Sequence, residues 1–251
     1  MKAPVLYCAG KTAAIHYAAR YLGSAGVSIA PEPGMAVDHI LLDIPSFSSD
    51  GDLRCGGRLE PLLAQLPGNI LVFGGNIPDL GNIASVDLLK DPLYLAENAY
   101  ITAECALQIA LARISRTIRE CPVLIIGWGR IGKCLGRLLQ QLGADVTVAA
   151  RKNADRALCL AMGYTAGDIP YLLPQLDRYQ LIFNTVPSPV LSREQLALCR
   201  EDCVKIELAS KNGLEGEDIV VARGLPGIHM PESSGQLIAR TYLRLCKEEN
   251  G

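Results

Sequence analysis

The sequence predicts an α/β protein of two doubly wound domains, each a parallel sheet with helices on both faces. Three observations predict it. Short apolar runs of strand length alternate with helical segments along most of the 251 residues, the pattern of parallel sheets. One such run, 123–126, leads through Gly127-Trp128-Gly129-Arg130-Ile131-Gly132 into a helical segment at 133–142. A second run, 145–149, follows after Gly143-Ala144, which completes a β-α-β unit.

The first domain, residues 1–100, is expected to be small and flavodoxin-like. Its strands read at 5–8, 27–30, 39–43 and 70–73, with 86–89 as a last edge strand. Helices read at 12–22 and 59–66, and the polar, glycine-rich stretch 45–57 reads as a loop. A long helix is expected at 102–118, within a linker of residues 101–119, with Thr102 as its N-cap; Cys105 leaves it without a capping box. Residues 120–231 read as a Rossmann dinucleotide-binding domain, with later strands at 181–185, 204–208 and 219–222. The connection 209–218 is near the minimum for a parallel crossover, so its helix is expected to be lost. A final helix at 236–246, in the segment 232–251, is expected to pack back on the first domain.

The glycine turn carries the chemistry. Gly127 makes the tight turn, Gly129 lets phosphates approach the backbone, and Gly132 lets the helix pack close to its strand. The amides of residues 127–132, including those of Trp128, Arg130 and Ile131, then face a pyrophosphate at a helix N-terminus. About twenty residues on, where an acidic residue usually binds the ribose of NAD, the chain reads Ala149-Ala150-Arg151-Lys152-Asn153. Arg151 and Lys152 are suited to a 2′-phosphate, so NADP is expected rather than NAD. Asp145 opens the strand, at its far end from the ribose.

Composition excludes several classes. Hydrophobic residues make up 49% and charged ones 20%, enough apolar material for two cores. A net charge of −2 gives no electrostatic case for nucleic acid or an anionic membrane surface. The nine cysteines form no C-x-x-C pair and do not cluster with the three histidines, so no metal site is expected. Their odd number points to reduced thiols and a cytoplasmic protein. Lys11, His16 and Arg20 interrupt the apolar N-terminal stretch that starts after Lys2, which argues against a signal peptide, and no run reaches transmembrane length.

Ligands bind outside the carboxyl ends of strands in such sheets. That assigns Gly10-Lys11-Thr12, Ile44-Pro45-Ser46, Gly74-Gly75-Asn76, Asn184-Thr185-Val186-Pro187 and Ala209-Ser210-Lys211 to one cleft. The nicotinamide end is expected at the last two groups.

Several short segments in order resemble the family of the dipicolinate synthase A subunit, the dehydrogenase-like part of the enzyme that makes dipicolinate in endospore formers. The family's Asn-x-x-Pro-Thr-x-Glu-Gly stands here as Asn98-Ala99-Tyr100-Ile101-Thr102-Ala103-Glu104-Cys105. Its G-x-G-R-x-G turn is kept with Arg130, its Ala-Arg is Ala150-Arg151, and its Asn-Thr-x-Pro is Asn184-Thr185-Val186-Pro187. Its Asp-Leu-Ala-Ser appears as Glu207-Leu208-Ala209-Ser210, and Gly224-Leu225-Pro226-Gly227 is followed by Pro231 and Gly235-Gln236. Three family elements differ: Gly-Asp-x-Arg has become Gly10-Lys11-Thr12-Ala13, Pro-Lys-Thr-Ala-Gly has become Pro231-Glu232-Ser233-Ser234-Gly235, and the Pro and Gly around Thr102 and Glu104 have become Ile101 and Cys105.

The resemblance implies an NADP-dependent oxidation of a dihydrodipicolinate-type ring to dipicolinate. Under it, Lys211 and Lys11 are candidate anchors for the carboxylates, with Ser210 and Ser233 as hydrogen-bond donors. Thr102 and Glu104 position the ring or accept its proton, or else serve only as a cap and a structural hydrogen bond. A second, flavoprotein-like synthase component and a homo-oligomer are the partners it allows. Two alternatives stay open. One is an NADPH-dependent 2-hydroxyacid dehydrogenase with His229 as acid/base; the other is a non-catalytic NADP-binding regulatory subunit. His16 and His39 read as structural.

Overall fold

The computed structural model describes residues 4–248; Lys2 and residues 249–251 of the expected C-terminal segment lie outside them. The chain divides into two compact units, residues 1–98 with 226–251, and residues 99–225.

The first unit opens with β1 (Val5–Cys8), α1 (Ala13–Ser24), β2 (Ser28–Ala30) and β3 (His39–Leu41). It continues through α2 (Leu59–Leu63), β4 (Leu71–Gly74) and β5 (Ser85–Asp87). The strands pair in parallel in the order β2-β1-β3-β4-β5, the flavodoxin-like order. Leu6, Ile40, Leu41, Val72 and Phe73 from its three central strands are fully buried. β3 stops two residues short of the expected end, and Asp43 beyond it accepts the amide and hydroxyl of Thr12, the N-cap of α1. The stretch 45–57 is a loop, with one isolated antiparallel bridge between Phe47 and Leu53.

The long helix α3 runs over Pro92–Leu111, ten residues earlier than the sequence reading placed its start. Its cap is Asp91, whose carboxylate accepts the Tyr94 amide hydrogen at 2.6 Å, and Pro92 occupies the first helical position, where its missing N–H costs nothing. Thr102 is therefore a mid-helix residue, not an N-cap. The division between the units falls inside α3, so no separate linker occupies 101–119.

The second unit contains β6 (Pro122–Ile126), α4 (Arg130–Gln141), β7 (Asp145–Ala149), α5 (Asn153–Ala161) and β8 (Thr165–Gly167). After α6 (Ile169–Leu172) come β9 (Leu181–Asn184), α7 (Arg193–Leu196), β10 (Val204–Glu207) and β11 (Ile219–Val221). All pairings are parallel, in the order β11-β10-β9-β6-β7-β8. Counted from β6, that is the 3-2-1-4-5-6 order of a Rossmann sheet. β8, with the sequence Thr-Ala-Gly, has no apolar run to announce it. No helix forms between β10 and β11, as their short connection requires.

The chain closes with α8 (Leu225–His229) and α9 (Pro231–Glu248). α9 returns to the first sheet and packs on α1. Gly235 makes this possible, because a Cβ there would lie 2.4 Å from the Ala14 carbonyl oxygen. Tyr242 on α9 reaches His39 Nδ1 at 2.9 Å, and Arg244 and Arg240 pair with Asp91 and Glu97 at 2.6 and 2.8 Å. No helix among the described residues is long and apolar enough to cross a membrane.

Candidate functional site

The turn between β6 and α4 has the geometry its glycines imply. Gly127 sits at φ +102°, in the left-handed region, and a Cβ there would lie 2.4 Å from Thr185 Oγ1 and 2.8 Å from Val186 Cγ2. Only glycine satisfies both conditions. At Gly132 a Cβ would meet the Gly127 carbonyl oxygen at 2.3 Å, so this glycine sets how closely α4 approaches the turn. Gly129 is different. It is the N-cap of α4, at φ −81°, and a Cβ would find no other protein atom within 4 Å. Nothing in the fold demands glycine at 129.

Because Gly129 has no side chain, no side-chain hydrogen bond caps α4. The first-turn amides and the positive end of the helix dipole are thus left for an anion. Arg130 is exposed at the first helical position, and Ile131 is partly buried. The Trp128 side chain faces away from any ligand, leaving its backbone amide, the group expected at the pyrophosphate, on the turn. Its indole is buried at 7% exposure and packs edge-on against Tyr164, 5.3 Å between ring centroids, beside Gly136. Trp128 therefore offers only its backbone to a ligand, and its ring fixes the turn from behind.

At the end of β7, Arg151, Lys152 and Asn153 are all exposed. Arg156, which the sequence reading did not select, reaches back from α5 to donate to the Ala150 and Arg151 carbonyl oxygens at 2.7 and 2.9 Å. It also donates to Asn153 Oδ1. These bonds order the turn that presents Arg151. The area is not free of carboxylates, as the local sequence suggested: Asp168, after the neighbouring strand β8, lies 3.9 Å from the Arg156 guanidinium. That pairing leaves Arg151 and Lys152 as the cations facing solvent.

A buried polar clamp builds the ends of β9 and β10. Asn184 and Glu207 are both fully buried. The Glu207 carboxylate accepts the Asn184 amide and the backbone N–H groups of Ala209, Gly213 and Leu214, at 2.8 to 3.1 Å. Asn184 also bonds the Val186 carbonyl oxygen and amide, both at 3.0 Å. Thr185 donates its hydroxyl to the Ile126 carbonyl oxygen at 3.0 Å. A Cβ on Gly213 would lie 2.4 Å from Asn184 Nδ2. Pro187, Ser210 and Lys211 are exposed on the segments held this way.

The remaining expected residues are less favourably disposed. Asp43, 2% exposed, accepts the Lys11 and Thr12 amides at 3.1 Å and the Thr12 hydroxyl at 2.7 Å. The α1 N-terminus thus already holds a carboxylate of the chain itself, which opposes a substrate carboxylate at that loop. The Lys11 side chain is exposed, as is Ser233 in the first turn of α9. Thr102 is buried and Glu104 partly buried. Two residues apart on one helix, they point about 200° from each other, so they do not face one ring together. His229 is exposed at the end of α8.

Sequence reasoning missed the roles of Glu207, Asp43, Arg156 and Arg223. Arg223, beyond β11, donates to the Ala209 carbonyl oxygen at 3.0 Å and to Asn212 Oδ1 at 2.6 Å. One signal was available: Glu207 stands between the apolar residues Ile206 and Leu208 at a strand end, where a buried carboxylate must find donors.

No protein-family model matches the chain. It is 26% identical over 249 residues to the dipicolinate synthase A subunit of Bacillus subtilis (strain 168), covering 91% of this chain and 84% of that protein. The crystal structure of the same synthase component from Bacillus halodurans superposes with a TM-score of 0.82 at 25% identity, over 96% of both chains. A transhydrogenase structure from Sinorhizobium meliloti shares the fold, with a TM-score of 0.74 at 13% identity over 98% of this chain and 94% of that one. These likenesses support an oxidoreductase-like family and show the two-domain fold of dehydrogenase-type proteins. Over most of its length the chain is similar to the dipicolinate synthase A subunit.

Proposed function

We propose that the chain is a cytoplasmic NADP-dependent oxidoreductase that converts a dihydrodipicolinate-type ring to dipicolinate, assisted by a second, flavoprotein-like subunit. The observation that carries this reading is the uncapped start of α4 at the carboxyl edge of a Rossmann-ordered sheet, with Arg151 and Lys152 at the end of the adjacent strand.

The residues present fit a phosphorylated dinucleotide. Backbone amides at 130–132 hold the pyrophosphate, and Gly129 leaves room for it. Arg151 and Lys152 bind the 2′-phosphate through charge-assisted hydrogen bonds. Thr185 and Val186, tied to the turn and to Asn184, flank the nicotinamide end with Pro187. When bound, the nicotinamide supplies the hydride acceptor for a reaction driven by aromatisation. The chain's own task is to orient the ring and hold its carboxylates. Lys211 provides an anchoring cation and Ser210 a hydroxyl donor, both on the loop that Glu207 pins. The Glu104 carboxylate takes the ring proton lost with the hydride.

The test is turnover of a dihydrodipicolinate with NADP⁺, followed by NADPH absorbance, with and without a flavoprotein-like second component. Reduction of simple 2-oxoacids instead selects a 2-hydroxyacid dehydrogenase. NADPH binding without turnover of either substrate makes the chain a regulatory subunit.

A further inference from the structure

We propose that Arg223 is the principal anchor for a substrate carboxylate and that, with Lys211, it makes the site selective for small dicarboxylates. This inference rests on the dinucleotide reading of the same sheet edge.

Arg223 follows β11, at the carboxyl end of the sheet. Its guanidinium is held by two bonds, Nε to the Ala209 carbonyl oxygen at 3.0 Å and Nη2 to Asn212 Oδ1 at 2.6 Å. Both acceptors lie on the loop 209–213, which carries Ser210 and Lys211. That loop is itself rigid, since the buried Glu207 carboxylate accepts its Ala209 and Gly213 amides at 3.1 and 2.8 Å. A planar guanidinium fixed in this way gives up little further freedom on binding a carboxylate, and Nη1 makes no bond to another described residue.

Charge pairing separates Arg223 from many of its neighbours. In the same unit, Arg119, Arg156, Arg178, Arg193 and Arg200 each lie within ion-pair distance of a carboxylate. Arg223 bonds only to neutral oxygens among the described residues, so its charge is uncompensated. Lys211, two residues beyond Ala209, is exposed and also lacks a carboxylate partner among them. Two uncompensated cations at one rigid loop match a ligand with two carboxylates. Lys11 offers no such match, because Asp43 already occupies the amides of its loop.

The experiment titrates the protein–NADPH complex with pyridine-2,6-dicarboxylate and with pyridine-2-carboxylate by calorimetry. NADPH binding is read in parallel from the emission of Trp128, the chain's single tryptophan. The expected result is that the native protein binds the dicarboxylate at least about tenfold more tightly than the monocarboxylate. Arg223→Met weakens dicarboxylate binding by about 30-fold or more and abolishes this preference, on the scale of losing a charge-assisted bond. Arg223→Lys is intermediate, and Lys211→Met, which breaks no loop bond, also reduces the preference. NADPH affinity stays within about twofold in every variant, a change smaller than any lost hydrogen bond.

Native discrimination that survives in Arg223→Met overturns the inference, as does its absence in the native protein. Loss of NADPH and both pyridines in Arg223→Met, with Lys211→Met fully selective, makes Arg223 a loop brace and overturns it too. Failure of the native protein to bind NADPH overturns the underlying dinucleotide reading instead, and the inference with it.

Discussion

Asn184 donates its side-chain amide to both carboxylate oxygens of Glu207, at 2.8 and 3.0 Å, and both residues are fully buried. The pair joins the ends of neighbouring strands and fixes the loops that follow each. Removing the carboxylate strands the amides of Ala209, Gly213 and Leu214 without an acceptor. Glu207→Ala is therefore expected to cost about 3 kcal/mol or more, since buried unsatisfied donors cost roughly 1–3 kcal/mol each. Urea unfolding checks this. A loss below about 1 kcal/mol, the scale of a surface substitution, would show that the clamp does not hold the loops.

Gly129→Ala and Gly132→Ala are expected to separate ligand binding from folding. At 132 the new Cβ meets a backbone oxygen at 2.3 Å, so α4 must shift and the midpoint of thermal unfolding falls. At 129 the Cβ meets no protein atom, and the midpoint stays within a few degrees, as a change of under about 1 kcal/mol implies. Cofactor affinity nonetheless drops at least about tenfold in Gly129→Ala, because the methyl group stands where phosphates approach. Calorimetric titration of both variants beside thermal melts gives the comparison. Unchanged affinity in Gly129→Ala contradicts the pyrophosphate assignment.

Much of this architecture was legible in the sequence, for physical reasons that also explain the misses. The strand at 122–126 is a continuous apolar run, and 145–149 is buried after its exposed Asp145, because both faces of a parallel sheet are covered. β8 escaped notice because three small residues at an edge carry no such signal. The start of α3 was misplaced because Thr102 resembles a cap locally, whereas the actual cap, Asp91, followed by Pro92, lies eleven residues earlier. The glycine turn and Arg151 could be read from spacing. Long-range partners could not: Asp43 meets Thr12 across 31 residues and Glu207 meets Asn184 across 23.

Arg151→Asp is expected to remove the preference for NADPH over NADH. The change replaces a cation suited to a 2′-phosphate with a carboxylate that repels it and accepts from a ribose hydroxyl. A shift of about 10- to 100-fold in the affinity ratio corresponds to one or two charge-assisted bonds. Fluorescence titration with both cofactors measures it. An unaltered ratio means that Arg151 does not contact the phosphate.

Thiol reactivity is expected to follow environment. Burial pushes the Cys8, Cys105 and Cys159 thiols up to about 11, so they remain protonated at pH 8 and ionise only as the pH rises well past 9. A hydrogen bond from the Cys203 thiol holds Cys199 below the ordinary thiol value. The thiolate is the nucleophile, so iodoacetamide at pH 8 modifies Cys199 before those three, and Cys203→Ala slows that reaction. Peptide mass spectrometry over a time course gives the order. Earlier alkylation of Cys105 or Cys159 contradicts it.

The central claim is that the turn at 127–132 holds the diphosphate of NADP. Calorimetric titration of the native protein with NADPH, and then with NADH, tests it most directly. The account predicts a single saturable site that quenches Trp128 emission and binds NADPH more tightly than NADH. No heat and no quenching with either nucleotide would contradict it.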